Sequence, residues 1–231
     1  MVGPPRGSGV APPEYVMDAL ERAQALPETT DALDAEMLVS DVAGWCALAA
    51  RDAGADEEHA WDELIAAAGA RRSRRGAALL RGLAALLPEP AAGHAAAAIA
   101  PDAYRPPWTD AIAALTPETC WYGTGEENTG YAFVLASYTY DGAEPHAVAV
   151  SIDHANDGVA KDVFVTAGNG IEVTRDRLSG FCADFGEVDP ATAHDHLAKA
   201  YAATDRAGEP DDDTASLRAF CLRRARAFGD A

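Results

Sequence analysis

Five side chains able to exchange protons or bind a metal, Asp153, His154, Asp157, Lys161 and Asp162, fall within ten consecutive residues, beside the amide of Asn156. Together they could support hydrolysis or group transfer on a small molecule. Asp153 would act as general base, His154 would shuttle the proton, and the Lys161 ammonium would stabilise developing negative charge. Glu126, in the Gly-rich segment from Tyr122 to Gly130, is a second candidate base that could face Asp153 or Lys161 across a sheet end. The same residues could instead set the specificity of a binding site for a protein partner or a small ligand. A plainer reading also stands. Asn-Asp-Gly is an ordinary turn sequence, because Asn and Asp tolerate left-handed backbone and Gly adopts it without steric cost.

Metal chemistry finds no suitable spacing. His146 and His154 share strand parity, but eight residues at ~3.3 Å each place them roughly 26 Å apart. His194 and His196 diverge by roughly 200° around a helix. No His-Glu-x-x-His pair occurs, and the D-x-D-x-D-G spacing of a calcium loop is absent. The Gly-rich segment lacks the Gly-Lys-Ser/Thr of a phosphate loop, and no Gly-x-Ser-x-Gly elbow occurs. No metal or cofactor is expected. Cys46, Cys120, Cys182 and Cys221 are far apart and form no C-x-x-C pair, so each is expected to be a reduced, buried small hydrophobe in a cytoplasmic protein.

A formal net charge of −19 argues against nucleic acid and anionic membrane, since both are bound by replacing counterions with Lys and Arg. Arg71-Arg72-Ser73-Arg74-Arg75 is the local exception. It reads as a solvated helix end or, alternatively, as an anion or partner patch. Only Lys161 and Lys199 stand against sixteen arginines, as a GC-rich coding background would produce, and Lys161 survives inside the suggestive stretch.

The elements that must position these groups predict an α+β protein: an N-terminal helical bundle followed by an antiparallel β-meander of three or four strands and two C-terminal helices. Residues 1–12 read as a flexible tail, 13–100 as a helical subdomain and 108–231 as an α+β subdomain packed on it. Apolar spacing predicts a helix from Pro13 to Leu26, and another, capped by Thr30 or Asp31, with Leu38, Val42, Trp45 and Ala49 inward. Two more follow over 56–68 and 73–87, and a short one over 93–100, with Trp45 and Trp61 as core anchors. Pro101 to Pro107 marks the border. Strands are expected at 131–140, 146–153 and 159–166, with a short one over 185–188. Asp189-Pro190 starts a helix through Ala203, and Thr214 caps the last.

In this layout the chain resembles a family of actinobacterial proteins of unknown function. The likeness rests on Leu-Asp-Ala-Glu (Leu33 to Glu36), a Trp entering a hairpin, and a DHN-x-G-G-x-x-KD type motif. Here that motif is Asp153-His154-Ala155-Asn156-Asp157-Gly158 followed by Lys161-Asp162, with the Asn one position later. Val188 to Ala191 and Ala202 to Asp205 also fit. The resemblance implies the layout and the site but no reaction.

Overall fold

Three polar side chains set the starts of the main N-terminal helices by accepting from backbone amides left unpaired at a helix end. Asp31 accepts from Asp34 N at 3.0 Å, Asp56 from His59 N at 2.8 Å, and Ser73 from Gly76 N at 3.0 Å. In the computed structural model, which describes residues 11–125, 130–208 and 212–227, these caps open α2 (Ala32–Asp52), α3 (Glu57–Ala70) and α4 (Arg74–Leu86). Helix α1 (Glu14–Arg22) precedes them, and the short α5 (Ala91–Ala97) and α6 (Thr109–Ala113) follow. Residues 1–10 of the expected tail lie outside the described residues.

Helix α2 is the central pillar, packed against α1, α3 and α4 and against two C-terminal helices. Its interior stripe is therefore broad: Ala35, Val39, Val42, Ala43, Cys46 and Ala50 are fully buried. The expected stripe is offset by one position at most places, and Leu38, Trp45 and Ala49 are only half-buried. Trp45 packs at the edge of the core rather than within it, half-buried, with Arg22 over its ring at 4.7 Å. Trp61 is buried, as expected, and donates to the Ala43 carbonyl.

The sheet has five strands in the order β4-β3-β2-β1-β5, all neighbours antiparallel. Strands β2 (Tyr131–Tyr140), β3 (Ala143–Asp153) and β4 (Val159–Ala167) are the expected meander. Strand β1 (Leu115–Thr124) escapes the sequence pattern, because Pro117 and Gly123 interrupt it and the register shifts between Pro117 and Cys120. It pairs with the short β5 (Gly186–Val188).

One sheet face, carrying Val134, Tyr138, Val148, Val150 and Ile152, joins the helical core. Helices α8 (Pro190–Ala207), α9 (Asp212–Ser216) and α10 (Arg218–Ala227) complete that layer. The β4 edge is closed by hydroxyls: Thr204 accepts from Ala160 N at 3.0 Å, and Thr214 donates to the Lys161 carbonyl at 2.9 Å. Such capping blocks pairing with another chain's strand. The opposite face is crossed by α7 (Gly170–Phe181). Here Trp121, Phe133, Leu135, Ala147 and Ala149 meet Ile171, Leu178 and Phe185 in a second, smaller apolar cluster. Gly123 lets this layer close, because a Cβ there would stand 2.7 Å from Phe185 Cα. Among the described residues, no helix is long and apolar enough to cross a membrane.

Candidate functional site

The turn after β3 is built from its own side chains. Asp153 is buried; its carboxylate accepts from Ala155 N at 3.1 Å and its carbonyl from Gly158 N at 2.8 Å. His154 N donates to the Gly130 carbonyl at 2.7 Å, tying the turn to the start of β2. Asp157 (φ 53°) and Gly158 (φ 76°) take left-handed backbone, the geometry an Asn-Asp-Gly turn requires.

A β-bulge then decides where the charges go. Val150 faces Val163 and Ile152 faces Ala160, so Lys161 and Asp162 together oppose the single residue Ser151. In a regular strand consecutive side chains alternate faces, whereas a bulge can turn two the same way. Both are exposed on the outer face. Ser151 Oγ accepts from Asp162 N at 3.0 Å and donates to Asp162 Oδ2 at 2.9 Å. Lys161 Nζ lies 3.8 Å from Asp153 Oδ2, donates to Tyr131 Oη at 2.7 Å, and sits 5.1 Å from the Tyr131 ring centroid. The Tyr131 hydrogen bond, then the Tyr131 and Asp153 charges, raise the Lys161 pKa. It is a held ammonium rather than a general base.

Of the expected site residues, Asp153, Lys161 and Asp162 thus share one patch. Asn156 and Asp157 stay on the exposed turn. His154 lies on the helix side, near enough to His196 to help lower its pKa behind burial and Lys199. His196 stacks on Tyr122 with centroids 3.9 Å apart. Glu126 lies outside the described residues. Tyr131 and Ser151 join the patch without a signal of their own in the sequence, Tyr131 because the strand pairing sets it opposite Asp153. No group of three or more His, Cys, Asp or Glu is placed to hold a metal among the described residues.

A second polar cluster, overlooked in the sequence, lies inside the core at the far end of β3. Glu36 and Arg224 are 0% and 1% exposed, yet charged. The two hydrogens of Arg224 Nη2 are shared among Glu36 Oε2 at 2.7 Å, His146 Nε2 at 2.7 Å and Tyr140 Oη at 2.9 Å. Arg223 and the Tyr140 hydroxyl also donate to Glu36. Burial alone would raise Glu36, but the Arg224 and Arg223 charges overcome it and hold the carboxyl below its ordinary range. His146 Nδ1 faces the Glu144 carbonyl at 2.8 Å, so that nitrogen carries the proton and Nε2 accepts from Arg224. Burial first, then the Arg224 charge, push His146 down to about 4. Every functional atom is turned inward, so the cluster is an internal clamp joining α2, the β2–β3 hairpin and α10.

The outer sheet layer is different in kind. Four large hydrophobic side chains are exposed among the described residues, and three belong to this layer: Phe164 on β4 (59%), and Val173 (50%) and Phe181 (66%) on α7. Phe164 pairs in register with Ala149 of the small apolar cluster. The same face ends in the Asp153–Lys161–Tyr131 group.

Fold and site together define an α+β protein with a helical layer, an antiparallel sheet and a thinly covered outer face. Comparison with family models, curated proteins and solved structures finds no match.

Proposed function

We propose that the chain is a cytoplasmic binding protein that docks a basic protein partner on the outer face of its sheet. The observation that carries this is the concentration of exposed Phe164, Val173 and Phe181 on one layer, beside the Asp153–Lys161–Tyr131 group. Single exposed apolar residues are common, but several gathered beside fixed polar groups mark an interaction surface. Charge chooses the partner. The elements around the face carry Asp162, Glu172, Asp176, Asp184 and Glu187 against Lys161, Arg175 and Arg177, within a chain of net −19. A second acidic copy is repelled and a basic surface is attracted.

The alternative, a small-molecule hydrolase or transferase using Asp153, His154 and Lys161, draws support from the Asp153–Lys161 approach alone. Against it, His154 lies on the other side of the turn and Lys161 is a paired cation. The principal clefts also lie elsewhere.

A photo-crosslinking residue at position 164 tests the reading. It should trap a basic protein in cells of the source organism, and the adduct should vanish in the Phe181→Ser variant or at 0.5 M salt (about five times the salt of a ~10 Å Debye length). Adducts only to a second copy, or to acidic proteins, would overturn it.

A further inference from the structure

The two edges of the sheet differ. On β4 the Thr204 and Thr214 hydroxyls occupy the Ala160 amide and the Lys161 carbonyl. At the other edge β5 is the last strand, and its Gly186 and Glu187 are exposed. Strand pairing fixes what β5 offers there. The Thr124 carbonyl accepts from Ala183 N at 2.9 Å, so Thr124 turns its backbone toward β5, whereas Gly125 N donates to the Tyr131 carbonyl at 2.7 Å, toward β2. Backbone groups alternate sides along a strand, so Trp121 faces β2. Its cross-strand partner Glu187 therefore turns its own amide and carbonyl outward, to the open edge. Residues directly opposite share a face of the sheet. The Glu187 side chain thus stands with Trp121 on the outer face, two residues from Phe185 of the small apolar cluster. Phe181, 66% exposed, ends α7 just before Cys182 bridges to Gly125, so apolar surface flanks this edge.

We propose that an extended basic segment of the partner adds to β5 as a further strand, pairing with the Glu187 amide and carbonyl. This deepens the sheet-face reading and rests on it. Charge selects the segment: residues 182–189 carry Asp184, Glu187 and Asp189 and no Lys or Arg. The cations upstream are Arg175, paired with Asp176, and Arg177, one turn before Phe181. A Lys or Arg facing Glu187 makes an opposite-charge cross-strand pair, and an apolar residue two positions along lies on the same face, beside Phe185. The same geometry excludes a second copy. Two β5 edges paired through Glu187 would set one carboxylate directly against the other, and like charges so placed are destabilising. Strand β5 has three residues, so main-chain pairing orients the segment and side-chain contacts on the outer face add the selectivity.

The probe is a blocked peptide of alternating lysine and valine, titrated into the isotope-labelled full chain and followed by NMR, with a glutamate-for-lysine peptide as control. The lysine peptide should bind saturably and slow hydrogen exchange of the Glu187 amide by about tenfold or more, and the glutamate peptide should not bind. Glu187→Pro removes the outward amide without touching a bond to β1, and proline is tolerated on an edge strand whose amide faces solvent. It should abolish binding with the circular dichroism spectrum unchanged. Glu187→Gln keeps the amide and should weaken binding by up to about fivefold. No binding of the lysine peptide, equal binding of both peptides, or binding that leaves the Glu187 amide unprotected would overturn the proposal. Protection confined to β4 and α7 would sink the edge and leave the sheet-face docking standing. A protected Glu187 amide with no adduct at position 164 would support the edge and sink the docking around Phe164.

Discussion

Glu36 can be ionised in the core only because two guanidinia and a phenol meet it there. Removing one partner of such a group strands the others. Glu36→Ala should therefore lower the unfolding free energy by about 3–5 kcal/mol, read as a lower urea midpoint at constant m-value. His146 gives the cluster its pH dependence. Its folded pKa, about 4, lies below the ordinary value near 6.5, so the unfolded chain binds this proton first as pH falls. Stability should then decline between about pH 6.5 and 4 and level off below, with a span of about 3 kcal/mol from this residue. Urea titrations at pH 7 and pH 4.5 check it. In His146→Gln, which keeps an acceptor for Arg224, the difference should shrink; an unchanged difference would place the titration elsewhere.

Much of the element layout is legible because local chemistry dictates it. Asp31, Asp56, Ser73 and the Asp189-Pro190 pair announce helix starts, and Asp189 indeed accepts from Ala191 N at 2.8 Å. Asp189→Ala should cost about 1 kcal/mol, measurable as a small loss in thermal midpoint. What was not legible depends on long-range pairing. Strand β1 breaks its own alternation and is defined by β2 and β5 on either side. The bulge opposite Ser151 is a property of two strands, so nothing in the order of residues says that Lys161 and Asp162 share a face. The Glu36 clamp joins residues remote in the chain, and Glu36 reads locally as an ordinary helix surface acid. Gly123 is another such case. Gly123→Ala must push against the Phe185 backbone and should cost about 1–3 kcal/mol, with the greatest loss of hydrogen-exchange protection in β1 and β5.

For the molecule as a whole, net charge and layering act together. A chain at −19 repels itself, and screening relieves that repulsion. Raising ionic strength from about 0.01 to 0.15 M, which shortens the Debye length from about 30 to 8 Å, should raise the thermal midpoint. The same change should weaken attachment of a basic partner to the sheet face, so salt would move stability and binding in opposite directions. A midpoint that falls with added salt would show that attractive pairs outweigh the repulsion.

The clamp between Glu36 and Arg224 spans 188 positions of the chain, and this sets a timetable for biosynthesis. Helix α2 leaves the ribosome carrying an acid whose two guanidinium partners are synthesised 187 and 188 residues later. Until α10 emerges, the sheet and the N-terminal helices cannot close over Glu36 without trapping a lone negative charge. Closure over Glu36 is therefore expected to follow synthesis of α10, whose docking seals the cluster.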